Sequence, residues 1–213
     1  MSQILVVTPA SRDATWVLDL KINGQKNRVQ SCLRKIERLF YQGQKGDVAA
    51  LLELYEWYKT IRQVEGYFDK EVSRLSKLIK RKVKETFEHY PDKPKTYRLP
   101  INNPISAAFY RVISKFDTLM CLSNTCMTLA IFKKRRLFAR KTDQYQQSLM
   151  RIITKVSQYK VPPESSILKL SPVHKEALSI AIHSDVMPVF AKPTLDRLTA
   201  LLKEIKEPAH EKG

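Results

Sequence analysis

The side chain best placed to do chemistry is an arginine on a short alternating segment. In Lys95-Thr96-Tyr97-Arg98-Leu99-Pro100-Ile101, the residues Tyr97, Leu99 and Ile101 alternate with Thr96 and Arg98. A period of two is the mark of a strand buried on one face. A guanidinium offered from the other face can fork onto O6 and N7 of guanine in a major groove, and an Asn amide can do the same on adenine. Residues 16–23, Trp-Val-Leu-Asp-Leu-Lys-Ile-Asn, alternate in the same way, with Leu18, Leu20 and Ile22 set against Asp19, Lys21 and Asn23. The two segments, with the residue that follows the first of them, supply five candidate base readers: Lys21, Asn23, Thr96, Arg98 and Asn102. Arg98 suits guanine, and Asn23 or Asn102 suits adenine.

Base readers need phosphate anchors, which add affinity without sequence information. Lys and Arg number 38 against 21 Asp and Glu, a net charge of +17, so the expected partner is an anion. No acid lies between Asp117 and Asp143, whereas Lys133, Lys134, Arg135 and Arg136 form an unbroken basic run. Ordinary surfaces interleave the two signs. That run falls where one helix ends and another begins, a place where backbone N–H groups also meet phosphate. Lys26, Arg28 and Lys95, which flank the two alternating segments, complete the phosphate candidates. A further cluster, Lys77 to Lys84, spreads its charge around a helix and reads as a solvated face.

Other chemistries lack their residues. The five glycines form no GxGxxG, GxxxxGK or GxSxG arrangement, which disfavours nucleotide-binding and hydrolase folds. Cys32, Cys121 and Cys126 are odd in number, and C-x4-C is not a usual zinc or redox spacing. They read as small buried hydrophobes in a reducing compartment. Four scattered histidines make no paired motif. No enzyme, cofactor or metal is expected. No apolar run approaches the roughly 18 residues of a membrane span, and no secretory signal is evident, so a cytoplasmic protein without a membrane partner is expected.

Helices must position these residues. Val29, Leu33, Ile36, Leu39 and Phe40 share one stripe, and Gly43–Gly46 ends it. Asp47 caps a helix that runs from 48 to about 88, with a bend expected near Gly66. Asn102 or Asn103 caps another, with Pro104 in its first turn, reaching about Phe132. A further helix covers roughly 137–159, and two short ones near 173–185 and 194–206 follow a Pro/Ser loop. The aromatic residues Tyr55, Trp57, Tyr58, Phe68, Phe109 and Phe116 keep helical spacing and read as core. Residues 1–14 read as an arm.

The expected fold is mainly α, with a short two-stranded antiparallel β-ribbon built from strands near 16–23 and 95–101. Leu20-Lys21-Ile22-Asn23 lines up with Leu99-Pro100-Ile101-Asn102, and each is followed by two helices, which suggests a strand–helix–helix repeat. Residues 1–160 form the ribbon-and-helix core, and 161–213 pack a loop and short helices on it. A ribbon fits a groove about 12 Å wide. Strand–helix–helix with a basic chain resembles the ribbon-helix-helix regulators, and Thr96–Ile101 is similar to their ribbon strand. The run Leu99–Lys160, opening on Ile101-Asn-Asn-Pro and carrying Phe116-Asp117, resembles the AcaB family of conjugative plasmids and integrating conjugative elements. That resemblance implies a bacterial, cytoplasmic, sequence-specific double-stranded DNA-binding regulator that activates transfer genes. A homodimer is expected because regulators read pseudo-palindromic sites, and RNA polymerase is a candidate partner for residues 161–213. Whether the ribbon closes within one chain or between two stays open. The competing readings are a helical interaction protein of a conjugation or secretion complex, with an acidic or nucleic-acid partner, and a non-specific single-strand binder.

Overall fold

The computed structural model describes residues 4–22, 26–83, 95–132, 134–160, 172–183, 190 and 192–206. The order is β1 (Ile4–Val7), α1 (Arg12–Asp19), β2 (Lys21–Ile22), β3 (Lys26–Asn27), α2 (Arg28–Gln44), α3 (Val48–Lys82), β4 (Tyr97–Pro100), α4 (Pro104–Thr128), α5 (Arg135–Gln158), α6 (Pro172–Ile182) and α7 (Lys192–Lys206). The protein is mainly helical with a two-stranded antiparallel ribbon, as the pattern of the sequence requires.

Local signals start each helix. Ser11 caps α1 through Ala14 N–H, Asn27 caps α2 through Gln30 N–H, and Asp47 caps α3 through Ala49 and Ala50 N–H. Asn103, not Asn102, caps α4, with its side-chain oxygen 2.8 Å from Ser106 N. Each such cap satisfies a donor that the helix cannot. Gly46 sits at φ +93°, a left-handed conformation that lets α2 turn directly into α3. α3 runs unbroken through Gly66 for 35 residues, about 52 Å at 1.5 Å per residue.

α3 is the spine. It packs most extensively on α4, and α2, α5 and α6 also lie against it. Its buried stripe of Leu51, Leu54, Trp57, Ile61, Phe68, Leu75 and Ile79 meets Phe109, Val112 and Phe116 of α4 and Tyr145, Leu149, Ile152 and Val156 of α5. Charged groups seal the seams. Glu65, only 4% exposed, accepts from Arg62 at 2.6 Å, Arg111 at 2.9 Å and Lys115 at 3.1 Å. Glu71 accepts from Arg74 at 2.8 Å and Tyr145 Oη at 2.5 Å. Each of these largely buried carboxylates holds a group from a second helix, so removing the carboxylate would unlink α3 from α4 or α5.

The ribbon corrects the sequence reading in one respect. Its β4 strand falls where the alternation placed it, but its partner is β1, in register Ile4↔Pro100, Leu5↔Leu99, Val6↔Arg98 and Val7↔Tyr97. The expected strand near 16–23 is instead the end of α1 followed by a two-residue bridge between β2 and β3. The reason is a competing period. Ala14, Val17 and Leu18 are all buried, spaced three and four apart behind the Ser11 cap, and they hold the segment helical. The two strands of the strand–helix–helix repeat are therefore unlike, since β4 pairs with β1 whereas β2 and β3 pair with each other, and residues 4–7, read as an arm, form a ribbon strand closed within one chain.

Candidate nucleic-acid interface

Residues directly opposite on an antiparallel ladder share a face. Leu99 is fully buried, and Val7 and Tyr97 pack on the core, so the ribbon's inner face carries Leu5, Val7, Tyr97 and Leu99. The outer face carries Ile4, Val6 and Thr8 on one strand and Thr96, Arg98 and Pro100 on the other. Arg98 is exposed, and among the described residues no hydrogen bond or ion pair is recorded for it. The Thr8 and Thr96 hydroxyls lie 3.4 Å apart and extend the ladder by one pair. The structure thus brings two of the five base-reading candidates, Thr96 and Arg98, onto one solvent-facing surface.

Two other interactions fix the ribbon in place. Asp117 of α4 accepts from Ala10 N–H at 2.8 Å and Ser11 N–H at 2.7 Å, pinning the turn between β1 and α1. Asp19, at the end of α1, accepts from Lys95 Nζ at 2.6 Å and Tyr97 Oη at 2.9 Å, tying α1 to the start of β4. The Lys95 hydrogen bond holds the Asp19 carboxyl below its usual range against the opposing pull of burial. Burial and the Asp19 carboxylate together push the Tyr97 phenol upward. Asp19 thus serves the fold rather than facing outward among base readers.

The remaining candidates are scattered. Lys21 is exposed on β2, which pairs with β3 and not with either strand of the ribbon. Asn102 follows β4 and donates to Glu37 Oε1 at 2.5 Å, which seats the β4–α4 connection against α2. Asn23 and Lys133 lie outside the described residues. Lys26 is placed on β3 by its backbone alone. Arg28 donates to Ser157 Oγ at 3.3 Å, and Lys95 is held by Asp19 and sits over the Tyr97 ring at 5.5 Å.

Lys134, Arg135 and Arg136 are all exposed, and they open α5. Lys134 makes no side-chain cap, and the first turn holds no acid. Cations here oppose the helix dipole, at a cost of about 0.3–1 kcal/mol each. The other end of α5 is arranged favourably, since Lys35 donates to Ser157 O at 2.5 Å and Tyr159 O at 2.7 Å. An anion at the N-terminal end would offset the cost there. This cluster is not beside the ribbon: α4, 25 residues and about 37 Å long, separates them.

Sequence reasoning missed Val6 and Thr8, which lie on the outer face across from Arg98 and Thr96. The available signal was the β-rich run Ile4-Leu-Val-Val. The described residues contain no group of His, Cys, Asp and Glu that could hold a metal ion, and no helix long and apolar enough to cross a membrane. All three cysteines are free and buried.

No protein-family model and no curated protein matches the sequence. Among solved structures, the chain is similar to selenomethionine-containing AcaB from uropathogenic E. coli, with a TM-score of 0.59 over 93% of this chain and 96% of that chain, at 19% sequence identity. The two share a fold over nearly their whole lengths.

Proposed function

We propose that this protein binds double-stranded DNA sequence-specifically, laying the outer face of its β1–β4 ribbon in the major groove, and regulates transcription. One observation carries the reading: Arg98 stands exposed on a two-stranded ribbon whose inner face is anchored in a helical core. A ribbon so supported is rigid enough to aim a guanidinium at a base. Thr96 and Thr8 extend the polar edge, and Lys134, Arg135 and Arg136 supply phosphate contact at a distance along α4. Lys21, Lys26 and Arg28 remain candidates for secondary contacts.

The resemblance of Leu99–Lys160 to the AcaB family, and the fold shared with AcaB, support a narrower reading: an activator of conjugative transfer genes in a bacterial cytoplasm, working as a homodimer and touching RNA polymerase. Because the ribbon closes within one chain, each subunit is a complete reader of one half-site, and dimerisation sets the spacing of two.

The test is binding selection from a randomised duplex library at about 150 mM salt, which suppresses the electrostatic background. An enriched motif is expected. On that motif, Arg98→Ala loses about 1–3 kcal/mol at one base pair, while Lys134→Ala weakens all duplexes alike and flattens the salt slope by about one. Unchanged specificity in Arg98→Ala would refute the ribbon as reader. The distance of the basic α5 start from the ribbon favours a second reading, an interaction protein with an acidic partner. That reading expects no enriched motif.

A further inference from the structure

Val6 and Ile4 are 61% and 62% exposed, and both stand on the outer face of the ribbon. A face built only to offer hydrogen bonds to base edges would carry polar side chains at these positions. Instead, the residue directly across the ladder from Arg98 is a valine, with its Cβ about 5 Å from that of Arg98. Ile4 lies two residues along the same face. The rest of the face is polar or basic at Thr8, Thr96 and Arg98, and the whole chain carries +17. Those charges suit a polyanion and disfavour a second copy of the chain on this face.

A major groove offers one methyl group, the C5-methyl of thymine. Resting on the ribbon reading above, we infer that Val6, with Ile4 beside it, recognises a thymine methyl adjacent to the guanine that Arg98 engages. Strands in a ribbon are about 4.8 Å apart and base pairs rise about 3.4 Å, so a side chain opposite Arg98 falls over the neighbouring base pair. Burying the methyl against Val6 removes both from water and leaves no polar group unpaired. Cytosine offers only a hydrogen at that position, so the same contact discriminates against it.

The experiment replaces thymine by uracil, one position at a time, in the duplex enriched by selection. This deletes the methyl and leaves every hydrogen-bonding group in place. The wild-type chain is expected to bind the uracil duplex about threefold to tenfold more weakly at one position next to the Arg98-dependent guanine. Val6→Ala, and the shape-preserving Val6→Thr should Ala disturb the strand, are expected to narrow that difference. Equal binding of thymine and uracil duplexes at every position, with Arg98-dependent specificity intact, would overturn this inference and leave the ribbon reading standing. No enriched motif, or one indifferent to Arg98→Ala, would overturn both. A change in sedimentation mass on Val6→Ala, with no change in the thymine–uracil ratio, would assign the apolar pair to a protein interface and overturn it as well.

Discussion

Asp117 is the most informative residue to remove. Its two carboxylate oxygens take the Ala10 and Ser11 N–H groups at 2.8 and 2.7 Å, tying the β1–α1 turn to α4. Hydrogen bonds to a charged group are worth about 1.5–3 kcal/mol each. Two such bonds on one half-buried carboxylate, less what water restores in the variant, come to about 3 kcal/mol for Asp117→Ala. In a chain of this size ~1 kcal/mol moves Tm by about 2–4 °C, so the expected loss is about 6–12 °C. Asp117→Asn keeps one acceptor and should lose about half as much. Thermal melts followed by circular dichroism measure the loss. Hydrogen exchange locates it, since the amides of residues 4–11 should lose protection before those of α3. If Asp117→Ala melted within about 2 °C of wild type, with protection at residues 4–11 unchanged, the idea that this carboxylate anchors the ribbon would be wrong.

Two further predictions concern titration and thiols. Burial works to raise the Glu65 carboxyl, but hydrogen bonds and charge from Arg111 and Lys115 outweigh it and hold it below its ordinary 4.5, and Arg74, Tyr145 and Lys141 do the same for Glu71. A carboxyl depressed in the folded state stabilises above its unfolded pKa, and that stability is lost as pH falls through the folded value. Urea midpoints should therefore drop below about pH 4.5, and Glu65→Gln should flatten that drop while lowering the midpoint at pH 7; an unchanged slope would refute the assignment. Burial pushes the Cys32 and Cys121 thiols up to about 12, so a disulfide reagent at pH 8 should label neither until urea unfolds the chain. Rapid labelling of the native protein would contradict their burial.

Much of the architecture is written locally. The Asp47 and Asn103 caps, Pro104 in the first turn of α4 and the three-and-four spacing along α3 and α5 each name an element within a few residues of itself. The β4 strand shows for the same reason, because Tyr97 and Leu99 alternate with Thr96 and Arg98. Its partner does not show. Ile4–Val7 alternates with nothing, and only the pairing with residues ninety or more positions away makes it a ribbon strand. Segment 16–23 misleads because Leu18 satisfies two periods, and the tertiary burial of Ala14 and Val17 decides between them. The candidate site divides along the same line. Thr96 and Arg98 were readable from one strand, whereas Val6 and Thr8 belong to the site only through a cross-strand register. Asn102 and Lys95 looked available in the sequence because their partners, Glu37 and Asp19, lie on distant helices.

The closure of the ribbon between residues 4–7 and 97–100 also sets an order of events during synthesis. β1 leaves the ribosome first, yet the strand it pairs with is made about ninety residues later. At about 5–20 residues per second, that is a wait of about 5–20 s. During it, the helices α1, α2 and α3 can form from contacts close in sequence, while Ile4-Leu-Val-Val remains an unpaired apolar strand. A pairing so distant is slow to form, and an unpaired edge of this composition is prone to capture by other chains. The surface proposed to read DNA therefore cannot exist until the chain has grown past residue 100, well after α1, α2 and α3 have been made. A nascent chain stopped before residue 97 would already hold its α2–α3 helical hairpin and have no reader at all.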